Sequence, residues 1–198
     1  MKIFVAGGTG TIGVPLVRSL IAVGHEVHSL TRSLGKVDEI RALGAHPAVA
    51  DALDADALRR VVAAARPTHV IHQLTALPKQ GPRRPSDLAP TNRLRTEGTR
   101  NLLEASIAAG ARRIIGGSFA LFQASMSANA PPAVVKGAEA LRSMESQILD
   151  ASRRGAIEGV VLRYGLFYGP GNPATDHCPS IMAAHRLSVA SGTSGKPW

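Results

Sequence analysis

Lys2–Gly13, reading KIFVAGGTGTIG, decides the fold. The apolar run Lys2–Ala6 predicts a buried strand, and Gly7, Gly10 and Gly13 follow at intervals of three. Behind them Ile12, Val14, Leu16, Val17, Leu20 and Ile21 recur at helical spacing until Gly24. A strand, a glycine turn and a helix N-terminus together make a phosphate cradle: the glycines admit a sharp turn and close backbone approach, and the helix dipole attracts the anion. Gly7, Thr9, Gly10, Thr11, Ile12 and Gly13 are therefore the candidate residues around a dinucleotide pyrophosphate. An ordinary strand–helix turn could use the same glycines, but the helical face that follows favours the cradle.

Working outward, strand-like runs recur at Lys2–Ala6, Glu26–Leu30, Pro47–Ala50, His69–Leu74, Arg113–Gly117 and Gly159–Arg163. Helical patterns cover Thr11–Val23, Lys36–Leu43, Ala55–Ala65, Thr91–Ala109 and Gly137–Ser152, with glycine at 24, 44 and 110 as stop signals. Alternation of this kind predicts an α/β fold, a doubly wound parallel sheet in the order 3-2-1-4-5-6. Ligand then lies across the carboxyl ends, where strands one and four diverge. Ala76–Pro90, rich in proline and basic residues, is expected to be irregular, either a loop over that edge or a solvated linker. Residues 1–171 are expected to form the dinucleotide domain, and 172–198 the start of an incomplete substrate region.

Composition narrows the partners. At 198 residues, 44% hydrophobic and 19% charged, the chain can bury a substantial core, and no apolar run reaches membrane-spanning length. A cytoplasmic location without a membrane partner is the expectation. The net charge of +9 comes from arginines scattered in pairs at helix ends and loops, with few aromatics, so nucleic acid is not the expected partner. The single cysteine, Cys178, cannot form an internal disulfide, and no metal site is expected.

Gly7–Gly13 and four further motifs, DALD at Asp51–Asp54, HQLTA at His72–Ala76, GTRNLL at Gly98–Leu103 and RYGLFYGPG at Arg163–Gly171, resemble the extended short-chain dehydrogenase/reductase superfamily, specifically its NAD-dependent epimerase/dehydratase group. The resemblance implies a nicotinamide cofactor, with Asp51 bonding the adenine amino group, Ala52 and Leu53 beside the ring, and Leu74 and Thr75 along the cofactor. Asp51 could instead cap the following helix. His72 reads as a core histidine rather than a catalytic one. Cofactor choice turns on the end of strand two, where an NAD site carries a carboxylate; this chain has Thr31, Arg32 and Ser33, and no acid until Asp38. Arg32 and Ser33 would suit a 2′-phosphate, so NADP is the expected cofactor, NAD the alternative.

The catalytic machinery departs from the resemblance. It implies a Tyr-x-x-x-Lys pair and a polarising serine. Ser118 fills the serine position. Lys136 would require tyrosine at Pro132, while counting back from Arg163 puts Glu145 on the usual glutamate and the lysine near Leu141 or Arg142. Neither register supplies the tyrosine; only Tyr164 and Tyr168 are present, and Tyr168 lies in a turn that would border the nicotinamide. Arg95 stands where the resemblance expects an asparagine. Ser118, Lys136 and Tyr168 are thus the catalytic candidates. The expected function is an NAD(P)-binding oxidoreductase or sugar-nucleotide epimerase/dehydratase acting on a small molecule. The alternatives are a non-catalytic NADP-binding regulatory or redox-sensing protein, or an inactive remnant lacking its substrate lobe. A homodimer through Thr91–Ala109 and Gly137–Ser152 is open.

Overall fold

Six strands form one parallel sheet in the predicted order. They are β1 (Lys2–Ala6), β2 (Glu26–Thr31), β3 (His46–Val49), β4 (His69–His72), β5 (Arg113–Phe119) and β6 (Glu158–Tyr164). The computed structural model describes residues 1–78, 82, 84–120 and 131–165. Its sheet belongs to a compact unit, Met1–Tyr164. The expected domain boundary at 171 and Tyr168 lie outside the described residues.

Each face of the sheet buries its own apolar set, because parallel crossovers bring helices to both sides. On one face α1 (Gly13–Ala22) and α2 (Val37–Ala42) cover Ile3, Val5, Val27 and Ile71 with Val17 and Ile40. On the other, α3 (Ala55–Ala65), α5 (Thr99–Ala108) and α6 (Pro132–Arg153) cover Phe4, Val70 and Ile114 with Leu58, Val62, Leu102, Leu141, Met144 and Ile148. Asp54 caps α3, its carboxylate accepting the Ala57 amide at 2.9 Å.

Two glycines set the close approach of the chain just past β1 and β4, which pair in parallel. Gly7 sits at φ +96°, and a Cβ there would stand 2.5 Å from the carbonyl oxygen of Gln73, just past β4. At Gly13 a Cβ would strike the Gly7 carbonyl and the Gly8 backbone, so α1 can begin against the strand only without a side chain.

Helix α6 takes its register from two other glycines. A Cβ on Gly116 would come 2.5 Å from Ile148 Cδ1, and one on Gly159 2.6 Å from the Ile148 carbonyl. Ile148 therefore lies against the middle of β5 and the start of β6. Since α6 returns antiparallel to β5, Glu145, one turn earlier, reaches Ser118, two residues further along the strand.

The structure differs from expectation between β4 and β5. The stretch taken as irregular contains a 3₁₀ turn, Pro85–Leu88, running into α4 (Ala89–Arg93), and the single helix predicted over Thr91–Ala109 is interrupted by a π turn, Leu94–Gly98, before α5. Buried Thr91 and Thr99, on either side of that turn, both bond the carboxyl end of β4: Thr91 Oγ1 accepts the Ala76 amide at 2.7 Å, and Thr99 Oγ1 lies 2.8 Å from His72 Nε2. In an unbroken α-helix residues eight apart are about 80° out of line; the wider π turn brings them toward one face.

Substituting Gly7 by alanine combines a strained φ with a clash on Gln73, and is expected to cost about 2–5 kcal/mol in chemical denaturation. Gly24, at φ +81° with open space where its Cβ would be, carries only the backbone strain, so Gly24→Ala should cost about 1–2 kcal/mol. Equal losses at the two positions would show that the approach of Gly7 to Gln73 is not tightly determined.

Candidate functional site

At the carboxyl edge of the sheet, the Gly7–Gly13 loop carries the geometry a pyrophosphate needs. Gly7 and Gly13 are occupied by the chain's own packing, whereas a Cβ on Gly10 would meet only the Gly7 carbonyl, at 3.4 Å, and Gly10 is exposed. Helix α1 begins at Gly13 with no side-chain cap and no acid in its first turn, leaving its positive end to an anion. Thr11 is exposed, and Thr9 and Ile12 half-buried, around the same turn. The cradle fits a dinucleotide phosphate.

The flanks of this loop are held by polar contacts between the sequence motifs. Asp51 Oδ1 accepts the Leu53 amide at 2.9 Å, closing a tight turn, and the helix-cap role falls to Asp54. The carbonyl of buried Ala52 accepts from Asn101 Nδ2 at 3.0 Å. At the end of β2, Thr31 Oγ1 accepts the Ser33 amide at 3.1 Å, so Arg32 sits at the tip of a turn, exposed and without an ion pair among the described residues. The next acid, Asp38, is engaged by Arg41 at 3.1 Å.

Beyond β4, Leu74 is half-buried and Thr75 exposed. His72 Nδ1 accepts the Leu74 amide at 3.2 Å, so the proton of the neutral ring lies on Nε2 and is donated to Thr99 Oγ1. Complete burial, with the charge of Arg95 as a second cause, pushes His72 down to about 4. It is a neutral structural histidine that locks the loop after β4 to α5.

Ser118, buried at the end of β5, donates its hydroxyl to Glu145 Oε1 at 2.5 Å, and Arg163 on β6 clasps both Glu145 oxygens at 3.0 and 2.6 Å. The Arg163 bonds hold the Glu145 carboxyl below its ordinary range, and Ser118 adds to this. The serine's proton is thus committed to a carboxylate, and its lone pairs remain for a ligand. The position near Leu141 or Arg142, where the resemblance would put the lysine of the pair, lies on the same helix, and Leu141 is buried. Lys136 is nine residues from Glu145, half a turn round and about 13 Å along the helix, and is not brought to Ser118. It lines instead a cleft of about 300 Å³ with Pro85, Ser86, Ala89, Asn92, Pro132 and Ala133. On the opposite face of β5, the Tyr164 hydroxyl accepts from Gln73 Nε2 at 2.8 Å.

The model of the NAD dependent epimerase/dehydratase family matches residues 3–198. The chain belongs to this family. It is 41% identical over 183 residues to a 3-diazoavenalumate denitrifying reductase from Streptomyces sp, an alignment covering 86% of this chain and 58% of that protein. Its fold is similar to the UDP-glucose 4-epimerase of Thermus thermophilus solved with NAD, at a TM-score of 0.69 and 24% identity, covering 90% of this chain and 61% of that one. It is also similar to the UDP-glucose 4-epimerase of Thermotoga maritima solved with UDP-glucose, at a TM-score of 0.66 and 25% identity, covering 83% and 55%. Family membership and the cradle establish a nicotinamide-type dinucleotide site on an epimerase-like Rossmann sheet. No helix among the described residues is long and apolar enough to cross a membrane.

Reading the sequence left two features of this site unassigned. The pairing of Ser118 with Glu145 depends on glycines 116 and 159, whose small size as seats for Ile148 is the signal that could have located it. The second feature is Arg95, legible only as a departure from asparagine.

His72 gives the site a pH signature. Its folded value lies below its unfolded value, so the stability it contributes is complete above about 6.5 and is lost as pH falls toward 4. The loss should amount to about 3 kcal/mol, and His72→Gln should flatten that part of the stability–pH curve. Glu145 is likewise depressed, so the deficit of Glu145→Gln in thermal melts should be largest near neutrality and shrink as pH drops below its ordinary value of 4.5. A deficit independent of pH would show that the Arg163–Glu145–Ser118 contacts act through shape alone.

Proposed function

We propose that this chain forms the dinucleotide-binding part of an NADPH-dependent reductase whose hydride transfer is completed without a proton donor from α6. The observation that carries this reading is the bond of Ser118 to Glu145: with Glu145 read as the family's glutamate, the acid/base pair would fall near Gly137 and Leu141, which carry no titratable group. When bound, the reduced nicotinamide supplies a hydride. Reduction of a carbonyl leaves an alkoxide that needs a proton, and epimerisation of a sugar begins by removing one, so both are poorly served here.

The 41% identical relative is named for acting on a diazo compound. Hydride addition to an aryl diazonium carbon forms a C–H bond while the C–N bond breaks, and its electron pair leaves with dinitrogen. Cationic substrate and hydride sum to neutral products, and no proton is required. An acceptor of this kind suits a site with Gly137 and Leu141 where tyrosine and lysine would be. Ser118, its proton given to Glu145, would orient the acceptor through its lone pairs, and the Arg163 clamp would keep Glu145 ionised.

Preference for NADPH rests on Arg32, exposed beside the end of β2, after which the chain carries no acid until Asp38, itself paired with Arg41. Its planar fork matches a 2′-phosphate, a charge-assisted bond worth about 1.5–3 kcal/mol. Arg32→Ala should therefore lower the NADPH-to-NADH affinity ratio by about ten- to a hundredfold in fluorescence titrations. An unchanged ratio would assign the 2′-position to other residues.

The reaction is tested by following NADPH absorbance with stabilised aryl diazonium salts and, separately, a panel of aldehydes and ketones. Consumption with dinitrogen release for the first and little for the second is the expected outcome. Saturable NADPH binding with no consumption by either would favour the second reading, a cofactor-holding regulator, which the commitment of Ser118 to Glu145 also accommodates.

A further inference from the structure

Gln73, the first residue past β4, is fixed at three points. Its amide donates to the Ala6 carbonyl at 2.7 Å, and its own carbonyl oxygen lies against Gly7 of the pyrophosphate cradle. The side chain then runs away from the cradle across the end of β5, and Nε2 donates to the Tyr164 hydroxyl, at the end of β6, at 2.8 Å. It passes over Gly117, where a Cβ would stand 2.5 Å from Gln73 Oε1 and 2.9 Å from Nε2. A flat carboxamide thus rests on a bare stretch of β5, one residue before Ser118.

That carboxamide is half satisfied. Nε2 is committed to Tyr164, while among the described residues no group donates to Oε1. Gln73 is only half-buried, which leaves its acceptor to a ligand at the sheet edge. Because the backbone and the amide nitrogen are both anchored, the acceptor is already oriented, and little rotamer freedom is lost when a donor meets it.

Topology names the donor. In a doubly wound sheet the two nucleotides of a dinucleotide lie over the two halves of the sheet, on either side of the point where β1 and β4 diverge. With the pyrophosphate on the Gly7–Gly13 loop and the adenosine toward Arg32, the nicotinamide nucleotide meets the ends of β4, β5 and β6. Strands stand about 4.8 Å apart, so a group over β5 is about 10 Å from β1, toward the base end of that nucleotide rather than its phosphate. The carboxamide of the nicotinamide carries the only N–H donors of this nucleoside.

We propose that Gln73 Oε1 accepts an N–H of the nicotinamide carboxamide, making Gln73 the residue that recognises the reactive end of the cofactor. The inference rests on the nicotinamide site alone and is independent of the reductase reading and of the choice of NADPH.

Binding tests it without turnover. The full chain is titrated by calorimetry with NADP⁺, with its 3-acetylpyridine analogue, in which a methyl replaces the amide nitrogen, and with 2′,5′-ADP, which lacks the nicotinamide half; NAD⁺, its analogue and AMP give the same comparison. NADP⁺ is expected to bind about three- to tenfold more tightly than the analogue. That preference should vanish in Gln73→Leu with 2′,5′-ADP unaffected, and shrink in Tyr164→Phe, which keeps the backbone contacts of Gln73 but releases its amide. Weakened 2′,5′-ADP binding in Gln73→Leu would mark a disturbed cradle, and an undiminished preference in Tyr164→Phe would then overturn the proposal. Equal affinity of the native chain for NADP⁺ and the analogue, equal weakening of both in Gln73→Leu, or a preference indifferent to that substitution would overturn it while leaving the cofactor site standing. Failure of the native chain to bind either dinucleotide would refute the site itself, a result distinct from binding without preference.

Discussion

The approach of Gly7 to the carbonyl of Gln73 is the constraint on which the rest of the structure depends. It brings the end of β1 and the chain just past β4 into backbone contact, so the two halves of the sheet diverge from a common point. From that point the first half departs through Gly13 into α1 and the second through the loop after β4 toward α4. The crevice between them is a by-product of a contact that tolerates no side chain, and the cofactor site inherits its shape.

The motifs that resemble a family in sequence prove to be halves of contacts. Asn101 of GTRNLL holds the carbonyl of Ala52 in DALD, and Thr99 of the same motif holds His72 of HQLTA. Gln73 of HQLTA reaches Tyr164, while its neighbour Arg163 reaches Glu145 and through it Ser118. Each bond joins segments far apart in the chain, and each lies near the carboxyl edge, where polar groups cannot all be satisfied by the strand ladders. These bonds hold the edge that the ligand would meet.

Strand order, glycine cradle and most helix bounds were legible because local spacing determines them: β1 and α3 fall on their expected residues, and the glycines at 24, 44 and 110 follow the helices they were expected to end. The π turn was not legible, since the apolar spacing runs on through LRTEG and Gly98 does not end the helix; around it Thr91 bonds Ala76 and Thr99 bonds His72. The catalytic region was legible only as two conflicting registers. Spacing along the chain does not encode the seating of Ile148 against Gly116 and Gly159, which brings Glu145 to Ser118. Arg95 stood out as an odd residue in a familiar motif, but that Glu97 pairs with Arg93 and Glu145 with Arg163 is revealed only in three dimensions.

The π turn at Leu94–Gly98 also makes this region discontinuous in its response to change. Loss of one residue would leave Thr91 and Thr99 only about 20° out of line, whereas, with every residue kept, a change of the π turn to regular α-helix turns everything upstream by about 80° relative to everything downstream. Thr91 would leave the Ala76 amide, and Asn92 would leave the cleft, while His72 kept its bond to Thr99. Regularising the π turn without a deletion is therefore a rotation of one wall of the site with the sheet left intact, so relatives that share this fold could differ in what they admit without a change in any residue that touches the dinucleotide.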